Sequence, residues 1–183
     1  MTSRGAHFAW TPTAEQAGGS RLKHFIDTLG AGDLDGVARL AREDPQRFWA
    51  AMVDDIGVAW TRRPDVAMDT SLGLPWTRFW PGGRLNLADN AVTRWARRAP
   101  DRTAVVSEAD DGSTREWTYA RLRNETAYAA SRLHMLGVRS GDSVGLCMPM
   151  IPETVSMFLA CACLGAVVVP LFSGYGAGAI VSR

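Results

Sequence analysis

The sequence predicts an α/β protein: a helical N-terminal extension, then a hairpin and a parallel β-α-β unit. Three observations carry that reading. The first is the stretch Gly141 to Gly174, where two short apolar runs flank a helix-length segment. Ser143 to Met148 follows a Gly141-Asp142 turn, and Ala166 to Phe172 holds Val167, Val168 and Val169. Two buried strands joined by a helix require a right-handed crossover and a parallel sheet. The second is the pair of runs Thr103 to Ser107 and Thr114 to Thr118 around Asp110-Asp111-Gly112-Ser113, a hairpin pattern. The third is the first third of the chain, whose apolar residues recur at helical spacing.

Taken in order, residues 1 to 19 form an arm punctuated by Thr11-Pro12-Thr13 and Gly18-Gly19. Ser20 caps a short helix containing Leu22, Phe25, Ile26 and Leu29, stopped at Gly30. Asp33 to Arg42 is a second amphipathic helix with Leu34, Val37, Leu40 and Ala41. Asp44 caps a third, with Pro45 at its first position, a stripe of Phe48, Trp49, Met52, Val53 and Ile56, and an end at Trp60. Thr61 to Arg84 loses periodicity and reads as a long loop whose Trp76, Phe79 and Trp80 pack across another surface. Leu87 to Ala99 is a helix with Val92, Trp95, Ala96 and Ala99 inward, ended by Pro100. Thr118 caps a long helix from Tyr119 to Leu136, with Leu122, Ala129, Leu133 and Leu136 inward and Gly137 as its stop. Pro152, with Glu153 beside it, starts the crossover helix; it runs to Leu164, apolar on nearly every side, and Gly165 ends it. Gly176 to Arg183 begins a further helix. The organisation is residues 1–84 as helical extension and connecting loop, then residues 85–183 as an incomplete α/β domain.

Composition narrows the function classes. A formal charge of +1 excludes an electrostatic nucleic-acid binder, and Arg94, Arg97, Arg98 and Arg102 at helical spacing read as a solvated face. Cys147, Cys161 and Cys163 are odd in number and lack a metal-ligand spacing, so they read as reduced core thiols of a cytoplasmic protein. The N-terminus, with His7, Trp10 and Glu15, lacks signal-peptide order. No charge falls between Glu153 and Arg183, a length able to span a bilayer, but Gly165, Pro170, Gly174, Gly176 and Gly178 favour the buried β-α-β unit and no membrane partner.

Candidate chemistry is sparse. Gly174 to Ala179 fits a loose G-x-G-x-x-[GA] pattern after a strand and before a helix, the arrangement that cradles a pyrophosphate, but a glycine-rich turn feeding a helix is the simpler reading. No Walker-type loop exists, because Lys23 is the only lysine and lies in no glycine-rich run. His7, His24 and His134 are scattered, Ser143 and Ser173 have no histidine partner pattern, Glu153 reads as a first-turn dipole residue and Asp110-Asp111 as a turn. No catalytic, cofactor-binding or metal-ligating residue is assigned in this chain.

Several motifs carry a family resemblance. Met148-Pro149-Met150-Ile151-Pro152-Glu153, Ala160-Cys161, Leu164-Gly165-Ala166 and Phe172-Ser173-Gly174 resemble the N-terminal domain of AMP-forming acyl-CoA synthetases of the acetyl-CoA synthetase type, in the adenylate-forming ligase superfamily. Asp44-Pro45, Phe48-Trp49-Ala50 and Trp60 resemble the helical extension of those enzymes, and Gly82-Gly83-Arg84-Leu85-Asn86 resembles the segment joining it to the catalytic domain. Thr118-Tyr119 with Leu122, Gly137-Val138 and Gly141-Asp142 follow in the same order. The resemblance implies, for an intact relative, activation of a carboxylic acid by MgATP to an acyl-adenylate with release of pyrophosphate, then acyl transfer to coenzyme A. It also implies that the phosphate loop with its lysine, the adenine and ribose motifs, the hinge and the C-terminal lysine lie beyond Arg183. ATP, Mg and coenzyme A are therefore cofactors of the intact relative and not expected in this chain, whose expected partner is the missing remainder. A chain inactive alone, with uncovered apolar surface of several hundred Å², is the expectation. A non-catalytic interaction module keeping the scaffold, or a small nucleotide-binding protein using Gly174 to Ala179, are the alternatives.

Overall fold

The computed structural model describes residues 9–183 and divides them into two compact units. His7 and the first eight residues of the expected arm lie outside the described residues.

The first unit comprises residues up to Val58 and Pro64–Gly83. Its helices are α1 (Ala14–Gly18), α2 (Arg21–Leu29), α3 (Leu34–Glu43) and α4 (Pro45–Asp55). Each begins where a side chain satisfies an orphan amide: Thr13, Ser20, Asp33 and Asp44 accept from Gln16, Lys23, Gly36 and Arg47. Gly30 ends α2 at φ 65°, and the Ala31 amide reaches back to the Ile26 carbonyl, a Schellman closure. Phe25, Ile26 and Leu29 are buried and Leu22 is 50% exposed, while Leu34, on the apolar stripe of the amphipathic second helix, is 58% exposed. Helix α4 stops at Asp55 rather than at Trp60, because Ile56 caps it and Gly57 turns the chain at φ 65°.

The expected loop is more ordered than predicted. Strands β1 (Met68–Asp69) and β2 (Arg78–Phe79) pair antiparallel around a 3-10 turn at Leu74–Trp76. Trp76 and Phe79 do not pack as expected, being 70% and 59% exposed, whereas Trp80 is half-buried. Asp69 is held down to about 2, first by the Ser71 amide and then by the Ser71 side chain and Arg78.

The second unit comprises Ala59–Arg63 and Arg84–Arg183. The predicted Leu87–Ala99 helix is a π segment at Asp89–Thr93 running into α5 (Arg94–Arg98). Strands β3 (Thr103–Glu108) and β4 (Thr114–Thr118) form the predicted antiparallel hairpin, with Val105 opposite Trp117. Helix α6 (Tyr119–Met135) starts on the Thr118 cap, whose hydroxyl accepts from the Arg121 amide. Leu122 is buried but Leu136 is 81% exposed: α6 ends one residue earlier, leaving Leu136 in the turn.

The β-α-β unit is β5 (Ser143–Cys147), α7 (Pro152–Leu164) and β6 (Val167–Leu171), with β5 and β6 parallel and Ser143 opposite Val167. Gly165 at φ 71° ends α7, and a Cβ there would meet Ser140 Oγ at 2.8 Å. The chain turns into a strand after Gly165, which removes the bilayer-spanning alternative; no described helix is long and apolar enough to cross a membrane. Helix α8 (Ala177–Val181) follows. The core is Ala88, Val92, Trp117, Leu122 and Leu159, with Ala104 and Val105 against it. The three cysteines are free, and only Cys161 is buried; Cys147 and Cys163 are exposed, which corrects the core reading for those two. Burial pushes the Cys161 thiol upward; Cys163, although exposed as a residue, borders a recess lined by Ala88 and Val92, and desolvation there, followed by the Asp89 charge, raises its thiol as well.

Candidate functional site

The densest polar construction in the second unit surrounds the start of α7. Pro152 presets the first turn, and Thr154 Oγ1 donates to the Pro149 carbonyl at 2.6 Å, folding the Met148–Pro152 turn onto the helix. Glu153, read from sequence as a dipole residue, also receives both guanidinium nitrogens of Arg115 on β4, one at 3.2 Å and one closer. The Arg115 fork holds the Glu153 carboxyl below its ordinary range, and Glu153 in turn raises Arg115. Arg121 stacks 4.8 Å from the Trp117 ring centroid, so two arginines of the hairpin–α6 corner are fixed by neighbours rather than free for a ligand. Beside them a groove of about 250 Å³ runs between β3 and the start of α7, lined by Val105, Val106, Ser107, Glu108, Met150 and Val155 among others.

A second construction fastens the other end of α7. Asn86 Nδ2 donates to the carbonyls of Ala162 (3.3 Å) and Cys163 (3.2 Å) in the last turn of the helix, where the Ala162 carbonyl also accepts the Gly165 amide. Its Oδ1 accepts from the Ala88 amide at 2.9 Å. Asn90 Oδ1 accepts from the Ala59 amide at 2.8 Å, while its Nδ2 donates to the Ala59 carbonyl at 3.0 Å and the Asn86 carbonyl at 3.1 Å. The Asn90 contacts sit inside the π segment, whose wider turn sends the Arg94 amide back five residues to Asp89. Neither asparagine was identified as a contact residue in the sequence, because the partners lie 76 and 31 residues away and leave no periodic trace.

The remaining sequence candidates stay apart. Gly174–Ala179 leads into α8, whose N-cap Gly176 makes no side-chain capping hydrogen bond. Packing explains its first glycine: a Cβ on Gly174 would lie 2.5 Å from the Phe172 ring. Phe172 meets Tyr175 edge-on at 5.6 Å, and Arg183 covers the Tyr175 ring at 4.7 Å. His134 is exposed on the last turn of α6, its Nδ1 3.2 Å from Arg139 Nη1. His24 and Lys23 lie on α2, where Lys23 pairs with Asp27. Among the described residues no three His, Cys, Asp or Glu side chains gather to hold a metal.

A family model described as AMP-binding enzyme matches residues 92–183, half of the chain. The chain belongs to the AMP-binding enzyme family. A second model, the acetyl-coenzyme A synthetase N-terminus, matches residues 35–91 immediately before it. The acetyl-coenzyme A synthetase of Deinococcus radiodurans is 34% identical over 173 residues, covering 94% of this chain and 25% of that protein. That of Streptomyces coelicolor is 38% identical over 144 residues, 78% of this chain and 22% of its own length. Among solved structures, the acetoacetyl-CoA synthetase from Streptomyces lividans superposes with a TM-score of 0.84 at 28% identity, over 95% of this chain and 28% of that one. The chain spans about a quarter of the length of the curated relatives it matches.

The residues present do not fit the ATP, Mg or coenzyme A that the family implies. Phosphate capture calls for backbone amides at the head of a substantial helix or a glycine-rich loop closed by lysine. Here Lys23 is paired on α2 outside any glycine-rich run, and Arg115 and Arg121 are engaged with Glu153 and Trp117. No catalytic step is derived through those groups.

Proposed function

We propose that this chain is the N-terminal scaffold segment of an AMP-forming acid–thiol ligase of the acetyl-CoA synthetase type, a cytoplasmic enzyme. Its role is to present the β-α-β unit and the Asn86–Asn90 joint on which the adenylating site is completed. The intact enzyme joins a carboxylate to ATP as an acyl-adenylate, releasing pyrophosphate, and then moves the acyl group to the coenzyme A thiol, releasing AMP. The phosphate loop and the lysines of that chemistry come from the polypeptide that follows, which is the segment's partner.

The observation that supports this reading is the order of the two family models. The acetyl-coenzyme A synthetase N-terminus gives way directly to the AMP-binding enzyme at Val92, inside the helix that Asn90 fastens. Carboxylate-dependent exchange of pyrophosphate into ATP is the test. The purified 183-residue chain is expected to show none, and a covalent fusion to the remaining residues of the Streptomyces coelicolor relative is expected to show exchange with acetate. Clear exchange by the chain alone, or none by a folded fusion, contradicts the proposal.

A further inference from the structure

A recess of about 60 Å³ lies between the π segment, α6 and α7, lined by Ala88, Val92, Arg123, Thr126, Ala127 and Cys163 among others. None of its lining residues belongs to β5, β6 or α8, so it is built by the closed end of the second unit. Ala88 and Val92 are 1% and 2% exposed and give it an apolar floor. Arg123 stands at the exposed rim, its Nη2 donating to Asn124 Oδ1 at 3.1 Å. Thr126 is the anomaly. A threonine inside a helix ordinarily turns its hydroxyl back to the carbonyl four residues earlier. Thr126 is 3% exposed, and its Oγ1 makes no hydrogen bond among the described residues. A buried hydroxyl without a partner is costly, and this one shares a small recess with a thiol.

We propose that Cys163 is a site of S-acetylation, its sulfur taking a small acyl group from an acyl thioester while Thr126 Oγ1 donates to the acyl carbonyl oxygen. The choice of donor rests on the function proposed above, since the completed ligase makes such thioesters. The Cys163 thiol gives its proton to solvent and the sulfur attacks the thioester carbonyl. A bond from carbon to the Cys163 sulfur forms, the bond to the carrier sulfur breaks, and the carrier leaves as a thiolate that takes up a proton. Nothing is oxidised or reduced. Negative charge gathers on the carbonyl oxygen during the attack, where a fixed donor stabilises it. Size selects the group: each water-sized atom needs roughly 10–15 Å³ of such a volume, so the three heavy atoms of an acetyl group fit and a long acyl chain does not. Desolvation and the Asp89 charge disfavour an anion at this sulfur. A thioester is uncharged and suits the site better than a sulfinate or sulfonate. The same raised thiol makes the transfer slow at neutral pH and faster as pH climbs past the ordinary cysteine range.

Peptide mapping by mass spectrometry tests this. The 183-residue chain incubated with acetyl-CoA is expected to carry acetyl on Cys163 in preference to Cys147, the other exposed cysteine. Octanoyl-CoA is expected to modify Cys163 far less. Thr126→Val is expected to slow acetylation of Cys163 by on the order of tenfold or more. Its reaction with methyl methanethiolsulfonate, a small reagent without a carbonyl, should keep the natural rate. Thr126→Ser, which retains the hydroxyl, should retain acetylation. The folded fusion to the Streptomyces coelicolor remainder, given acetyl-CoA, should be modified at the same residue, which requires no ligase activity. Acetyl on Cys147 but not Cys163 overturns the proposal, as does an equal rate with octanoyl-CoA. So does a Thr126→Val chain that keeps its acetylation rate, or one that slows equally with both reagents, which makes the hydroxyl merely structural. Loss of the modification in the fusion overturns it too, because the following polypeptide then covers the recess. A fusion that is acetylated at Cys163 yet exchanges no pyrophosphate contradicts the function proposed above and leaves this site standing.

Discussion

The two ends of the second unit are built from the same kinds of residue and reach opposite outcomes. Around Trp117 the apolar groups close on each other: Ala88, Val92, Leu122 and Leu159 are all under 7% exposed, and Trp117 is at 1%. At the β5–β6 end, Val167, Phe172 and Val181 are 54%, 66% and 85% exposed. Both ends are β-branched and aromatic, so composition does not separate them. Closure does. The Trp117 end is layered from a hairpin, two helices and the π segment, whereas the sheet end has two strands and one covering helix. A parallel sheet needs cover on both faces, and α7 supplies it on one.

Removing a side chain from each end sharpens that difference, and the largest effect belongs to the closed end. Trp117→Ala is expected to destabilise the second unit by about 3–5 kcal/mol, a large part of the roughly 5–15 kcal/mol that holds a domain folded. Phe172→Ser, at the open end, is expected to change stability by no more than about 0.5 kcal/mol. Chemical denaturation followed by tryptophan fluorescence measures both. Equal losses would break the contrast.

The next effect lies between the ends, at the Asn86 joint. Asn86→Ala leaves the Ala162 and Cys163 carbonyls without that partner and is expected to cost about 1–3 kcal/mol. Hydrogen exchange in the last turn of α7 should rise while exchange at its first turn stays unchanged. A uniform rise along α7 would show that the asparagine supports the fold generally rather than this helix end.

Much of the frame was legible in the sequence because its signals are local. Ser20, Asp44-Pro45 and Thr118 open helices where their side chains reach amides three residues on. The Pro152 and Gly165 punctuation bounds α7, and the β-branched run marks β6. What escaped is long-range or depends on cover. The Arg115–Glu153 fork joins residues 38 apart, and a fork of this kind has no sequence spacing. Leu34 and Leu136 lie on or beside helix stripes read as apolar faces yet stay exposed, because a stripe shows which face is apolar and not whether anything lies against it. The π turn depends on the Asn90 contacts to Ala59 and so has no periodic signature either.

The smallest expected effect is electrostatic. Glu153 titrates below its ordinary range when folded, so its contribution to stability is full above the unfolded pKa and is lost as pH falls through the lower folded value. The pair with Arg115 is solvent-exposed, so the loss on Glu153→Gln should be slight, screened by salt, and present at any pH above the ordinary glutamate range. Melting curves of the two proteins should converge at strongly acidic pH. A gap that widens on acidification would place the stabilising charge elsewhere.

The contrast between a closed core and an uncovered sheet is tested most directly by titrating a hydrophobic dye against the native chain, with a Val167→Ser/Phe172→Ser chain alongside. The account predicts dye fluorescence on the native chain that falls sharply in the double variant while the tryptophan melt stays where it was. No dye binding by the native chain, with a sharp cooperative melt, would contradict it.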